Sequence, residues 1–267
     1  LIVGRSLNLK YPIIFSEKMQ WLKLYNRKSK YTIMVDKVKV KDYVKEKIGD
    51  ECIIPTLGVW ESPDNIDFEA LPNQFVLKCN HNSGTGMCIC KDKSKLDIEK
   101  VKSDLRRGLR ENYFLHGREW PYKNVPRRIL AEKFMVDDSG EAIKDYKFFC
   151  FDGMPCLCQV ISDRDTDEKI DFYDMGWNRQ IGLIGLSLST KVHNSDKDIP
   201  CPHSFEEMKR MASVLSKGIP FVRIDFYDIN GKAYFGEMTF FAASGFGLFR
   251  PDEWNEKLGS LIKISKN

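Results

Sequence analysis

Apolar residues recur along this chain with two periods, and the change from one to the other predicts how it is organised. Near the N-terminus the spacing is helical. Residues 16–28 (SEKMQWLKLYNRK) place Met19, Leu22 and Tyr25 on one side, with Ser16 as the expected N-cap. Residues 37–48 repeat the pattern with Val40, Tyr43, Val44 and Ile48, and Gly49 is the expected stop. A strand is expected near 52–60, a turn at Ser62-Pro63-Asp64 and a strand at 75–79. A helix then starts from Asp97 and carries Ile98, Val101, Leu105 and Leu109. From about residue 128 alternation takes over. RILAEKFMV, KDYKFFCF and PCLCQVIS read as strands, the last two joined by an Asp152-Gly153 hairpin turn. Ser204 and Glu207 mark a helix over 204–217 as a capping box, and Gly218 ends it. A second hairpin, FVRIDFYDINGKAYFGEMTFF, and a final helix from Asp252 complete the pattern.

This order predicts an α+β protein with sheets covered by helices. Its expected divisions are a helical segment over 1–60, a small subdomain over 61–127 and a larger one over 128–267. Pro121 and Pro126 mark the second boundary.

Composition narrows the class. The 267 residues are 42% hydrophobic and 30% charged, a globular profile long enough for a sizeable core. The net charge of +4 is mild, and the basic residues are dispersed among 38 acids, so no nucleic-acid groove is expected. No apolar run approaches the length of a transmembrane helix. The start, LIVGRSLNLKYP, lacks a Met and is too short in apolar residues for a secretory signal. Eight cysteines are scattered without a CxxC pair, which predicts buried free thiols in a reducing cytoplasm rather than a zinc knuckle.

Charges that interrupt apolar strands carry the chemistry. In the last hairpin Arg223, Asp225, Glu237 and Thr239 alternate on neighbouring strands. A plain two-residue Asn230-Gly231 turn would oppose Asp225 to Gly236. Asp225 meets Glu237 only if the loop has three residues or the strand contains a bulge. Two carboxylates with a hydroxyl suit Mg²⁺, whereas a solvated pairing of Asp225 with Arg223 or Lys232 is the plainer alternative. Lys78 breaks the strand FVLKC in the same way, and a buried lysine needs a partner. The turn after it, Asn80 to Gly86, offers backbone N–H groups and two glycines, so it can fold over phosphates. It is neither a Walker A loop nor a dinucleotide fingerprint. Residues 130–135 (LAEKFM) read either as an edge strand or as backbone laid along a purine, with Glu132 accepting from its amine. Asp145 and Lys147 share a strand face. His81, His116, His193 and His203 show no metal spacing; His81 reads either as a phosphate contact from the loop or, more plainly, as a surface histidine.

In this order the pieces resemble the ATP-grasp enzymes over nearly the whole chain. The resemblance implies two α+β subdomains sandwiching ATP, preceded by a helical segment. Asp36-Lys37-Val38 is similar to the first phosphate-lysine motif. FVLK with HNSGTGM is similar to the second lysine, Lys78, and its glycine lid, including Ser83, Gly84, Thr85 and Gly86, with residues 80–87 expected to be mobile without ATP. AEKFM resembles the adenine hinge, with Glu132 on the amino group and Lys133, Phe134 and Met135 offering backbone. Asp145 matches a ribose-binding acid, with Lys147 on the same face at the nucleotide. RIDFYDINGKAYFGEMTFFAASG resembles the metal hairpin. By that match Asp225 and Glu237 hold Mg²⁺, Arg223 steadies an acyl phosphate, and Ser244 and Gly245 lie at the acceptor site. Thr239 stands where the family usually has Asn, which weakens the expected second-metal position. EKMQWLKLY, FVLKCNHNSG, GREWPY and GEMTFFAASGFG resemble the TupA-like branch, which implies a bacterial carboxylate–amine ligase in capsule or wall-glycan assembly. Its substrates would be small-molecule or glycan carboxylates and amines. Competing readings are a glycosyltransferase using the DxD of Asp163-Arg164-Asp165, a kinase on the same fold, and a non-catalytic nucleotide-binding module. In the ligase reading Arg164 faces substrate instead.

Overall fold

The computed structural model describes residues 6–140, 142–162, 167–186 and 192–265. The chain divides into two compact units, one formed by Leu1–Arg27 with Asp137–Asn267 and the other by Lys28–Val136. It opens in the first unit with α1 (Phe15–Tyr25). Ser16 does not cap this helix. The cap is Ile14, and the carboxylate of Glu17 accepts from the N–H groups of Ile13 and Ile14 at 2.9 and 3.4 Å. Glu17, at the third helical position, thus takes the N-cap donor itself, whereas a capping hydroxyl would take the N–H of the second or third residue.

The second unit runs through α2 (Lys30–Val35), α3 (Val40–Ile48), β1 (Thr56–Trp60), β2 (Phe75–Cys79), β3 (Met87–Cys90), α4 (Ile98–Arg110), α5 (Phe114–Gly117) and β4 (Ile129–Lys133). Its antiparallel sheet has the order β1-β4-β2-β3. The expected boundaries near 60 and 127 therefore run through a sheet, because β1 and β4 are neighbours. Phe75, Leu77, Cys79, Ile129 and Ala131 lie on one face and pack with Val101 and Leu105 of α4. Asp97 caps α4 as expected, accepting from Lys100 N at 2.9 Å.

The chain then returns to the first unit as β5 (Asp145–Phe151), β6 (Met154–Ser162), β7 (Lys169–Tyr173), β8 (Ile184–Gly185), α6 (Phe205–Ser216), β9 (Val222–Ile229), β10 (Lys232–Thr239), β11 (Phe249–Arg250) and α7 (Glu253–Leu261). The five-stranded antiparallel sheet has the order β10-β9-β5-β6-β7, and β8 pairs with β11. Alternation puts Phe148 and Phe226 toward Phe205 of α6, with ring centroids 5.7 Å apart in both pairs that Phe148 makes. Phe149, on the opposite face, joins Phe221 and Phe249, which close edge-on around Phe15 of α1. Asp152 and Gly153 both take positive φ, the two-residue turn that their sequence predicts. The capping box of α6 does not form. The Ser204 hydroxyl donates instead to Asp228 at 3.0 Å.

The eight cysteines are free thiols, but burial holds for only Cys52, Cys79, Cys90, Cys150 and Cys158; Cys88 and Cys156 are half-buried and Cys201 is exposed. Among the described residues no helix is long and apolar enough to cross a membrane.

Candidate nucleotide and metal residues

In the second unit Lys78 sits on the sheet face opposite the core cluster, together with Val76, Leu130 and Glu132. Its ammonium meets Glu132 Oε2 at 2.5 Å, and Lys41 Nζ meets Glu132 Oε1 at 2.6 Å. Glu132 was expected to face a purine amine; its carboxylate is instead closed between two lysines, with 8% of the side chain exposed. Burial pushes the Glu132 carboxyl up, but Lys78 and then Lys41 outweigh it and hold it below the usual range. Burial and the neighbouring Lys78 bring the Lys41 ammonium down, against the pull of Glu132.

The chain approach to Lys37 is fixed by Asp36. One of its oxygens accepts from Val38 N at 2.9 Å and Asn80 Nδ2 at 2.8 Å, and the other from Arg128 at 3.0 Å. Lys37 Nζ donates to Asn82 O at 2.6 Å, and Lys37 N to Asn80 O at 3.2 Å. The first lysine motif and the glycine loop are thus one hydrogen-bonded assembly.

That assembly revises the lid. Asn80, His81 and Asn82 are buried anchors, not an open loop. Asn80 also donates to Pro126 O and accepts from Arg128 N, while Asn82 donates to Glu111 at 2.7 Å. His81 is not a surface residue. Its Nε2 lies 3.1 Å from Glu111 O, its Nδ1 is buried without a partner, and burial lowers its pKa. Within residues 80–87 only Ser83, Gly84 and Met87 are exposed, with Thr85 half-buried. Gly86 returns at φ +70, and a Cβ there would lie 2.8 Å from Cys79 Sγ and 3.0 Å from the Gly108 Cα on α4. Glycine faces glycine where the loop seats on the helix. At the end of β4 the Lys133 N–H bonds Pro55 O at 3.0 Å, and beyond it Phe134 and Met135 are half-buried.

In the first unit the last hairpin resolves its own register question. Asn230 and Gly231 form a two-residue turn with φ +53 and +74, and Ile229 pairs with Lys232. The pairing then shifts between Phe235 and Glu237, so Gly236 bulges and Glu237 stands opposite Asp225. A Cβ on Gly236 would meet Asp225 O at 3.0 Å and the Tyr227 ring at 3.2 Å. Gly236→Ala is therefore expected to cost about 1–2 kcal/mol in urea denaturation, by pressing on the backbone that carries Asp225.

Arg223 holds Asp225 with two bonds of 2.7 Å and reaches Glu237 Oε1 at 3.3 Å and Thr239 Oγ1 at 3.2 Å. Thr239 donates to Glu237 at 3.2 Å. Lys147, opposite Asp225 on β5, contacts it at 2.6 Å and Asp145 at 3.1 Å. Asp145 and Lys147, expected at a nucleotide, thus stand beside Asp225. Asp225 is buried and Glu237 38% exposed. Burial pushes the Asp225 carboxyl up, but Arg223 and Lys147 together keep it below the usual range. Burial pulls the Arg223 guanidinium down, but Asp225 and Glu237 raise it further. Among the described residues no three His, Cys, Asp or Glu side chains cluster to hold a metal. The set is two carboxylates and a hydroxyl, hard oxygens that fit Mg²⁺ completed by water and phosphate. Asp225 is already shared with two cations, so Glu237 is the carboxylate more open to a metal.

Ser244 and Gly245 lie in a short turn where Ala243, Ser244 and Gly245 all have positive φ. Lys23 of α1 donates to Ser244 O at 2.5 Å, and Gln20 donates to Gly245 O at 2.9 Å. Arg164 and the DxD of Asp163 and Asp165 lie outside the described residues. Sequence reasoning missed Lys41, Gln20 and Lys23. None of the three carried a signal in the sequence that set it apart from its neighbours.

A family model described as TupA-like ATPgrasp matches residues 17–263. No curated protein matches. Among solved structures, a D-alanine–D-alanine ligase from Helicobacter pylori is similar at 14% identity, with 94% of this chain and 69% of that one covered and a TM-score of 0.55. A D-alanine–D-alanine ligase from Bacillus anthracis complexed with ATP matches at 16% identity, with 79% and 54% covered and a TM-score of 0.44. A phosphoribosylamine–glycine ligase from Thermotoga maritima matches at 14% identity, 78% and 48% covered, with a TM-score of 0.44. The chain spans about half to two thirds of the length of these structures.

Proposed function

Because this chain belongs to the TupA-like ATP-grasp family, we propose that it is an ATP-dependent carboxylate–amine ligase in bacterial capsular or cell-wall glycan assembly, working in the cytoplasm. The observation that carries this reading is the bulged hairpin, which opposes Asp225 to Glu237 with Arg223 bonded to both. A substrate carboxylate attacks the γ-phosphorus of ATP, releasing ADP and leaving an acyl phosphate. An amine then attacks the acyl carbon and expels phosphate, forming the amide.

Catalysis of this kind rests on positioning and charge neutralisation. Lys37 and Lys78 hold the phosphates, and Ser83 to Gly86 cover them with backbone donors and exclude water. Lys133 to Met135 flank the adenine, Asp145 with Lys147 serves the ribose side, and Glu132 holds Lys78 when no nucleotide is bound. Arg223 neutralises charge on the transferring phosphoryl group. Glu237, Asp225 and Thr239 would hold Mg²⁺, which would supply neutralisation of phosphate charge. Ser244 and Gly245 serve the acceptor, with Arg164 as a further substrate contact.

The test follows ADP and phosphate with ATP·Mg²⁺, candidate uronic or amino acids, and amines. Amine-dependent release of ADP is the expected result. Consumption of a UDP-sugar without ATP would sink the reading in favour of glycosyl transfer.

A further inference from the structure

We propose that Lys41 is a positioning residue: it is the standing counter-ion of Glu132, which frees Lys78 to leave that carboxylate for the phosphates of a nucleotide. This rests on the assignment of Lys78 to ATP. An ammonium has three donors. Lys41 engages all three, with Glu132 Oε1 at 2.6 Å, Ile54 O at 2.8 Å and Thr56 Oγ1 at 2.8 Å. It has no donor left for a ligand. Lys78 has one described partner, Glu132, and 23% of its side chain is exposed, so two of its donors remain open.

The two lysines therefore divide the work. A buried carboxylate stripped of its only cation is strongly destabilised. Were Lys78 alone beside Glu132, drawing it to a phosphate would create that state. With Lys41 in place the carboxylate stays paired while Lys78 moves. The three groups also carry one net positive charge, two ammoniums against one carboxylate, which favours an anion. Thr56 pairs with Glu132 across β1 and β4, so Lys41 ties α3 to the strand positions on which Glu132 stands.

Calorimetric titration of the full chain with ATP·Mg²⁺ and with adenosine tests this. In Lys41→Met, ATP binding is expected to weaken about tenfold or more while adenosine binding is retained. Adding Glu132→Gln to Lys41→Met should recover most of the loss, because a neutral amide no longer retains Lys78. Should Lys41→Met not fold, Lys41→Gln keeps a donor for Thr56 and carries the same comparison. Unchanged ATP affinity, a parallel loss of adenosine affinity, or no recovery in the double variant each overturns the proposal. A wild-type chain that binds no ATP overturns the functional assignment and this proposal with it. ATP-binding wild type with an unaffected Lys41 variant overturns the role of Lys41 alone.

Discussion

Asp225→Asn is expected to lower folding stability by about 3 kcal/mol and to abolish the Mg²⁺-dependent part of thermal stabilisation by ATP. The stability loss follows from burial: Asp225 is 1% exposed and balances Arg223 and Lys147, both of which would keep their charge without it. The loss of metal follows from removing one of two carboxylates. Glu237→Gln separates the effects. Glu237 is more than a third exposed, so its melting temperature should stay within about 2 °C of the wild type while Mg²⁺ dependence falls. Equal stability of wild type and Asp225→Asn in urea would contradict the charge balance. The pH dependence has a definite sign. The folded Asp225 carboxyl titrates below its ordinary value, so its contribution is complete above about pH 4 and is lost as the solution is acidified toward the lowered value. Stability measured between pH 5 and 8 should be insensitive to this group.

Lys78→Met is expected to show the opposite balance. Lys41 remains as the counter-ion of Glu132, so stability should fall by no more than about 1 kcal/mol. Ligase turnover should fall by about 10²–10³, the usual effect of removing one charge-stabilising contact. Turnover within a few-fold of wild type would remove Lys78 from the phosphates. A matching collapse of stability would make it a structural ion-pair partner only.

The residues differ in how readable they were. Lys78 and Asp225 stood out because each breaks an apolar strand, and a charge there has to be paired. The Asp225–Glu237 register was decidable in advance as a choice between a longer loop and a bulge, since side-chain direction alternates strictly along a strand. Lys41 was not readable. It lies among Lys37, Lys39, Lys45 and Lys47, and its partner Glu132 arrives from a strand about ninety residues later. The buried loop base failed for a similar reason. Asn80, His81 and Asn82 look like turn residues, but Asp36, Glu111 and Pro126 supply their hydrogen bonds from distant segments. Ser204 shows the limit of local motifs, because Asp228 competes successfully for its hydroxyl. The helix α2 is only six residues long and was lost between two longer amphipathic segments.

The bulge at Gly236 has a consequence for how β10 can change. On the turn side of it the buried positions are the odd residues Ala233 and Phe235; beyond it they are the even ones, Met238 and Phe240. One unpaired residue moves the strand from one phase to the other. Removing it would turn Glu237 and Thr239 toward the apolar side and bring Met238 out among the charges. Most substitutions along β10 act at one position, whereas a change of length by one residue inverts every side chain past it. The strand is therefore far more sensitive to a shift in spacing than to a change in residue type.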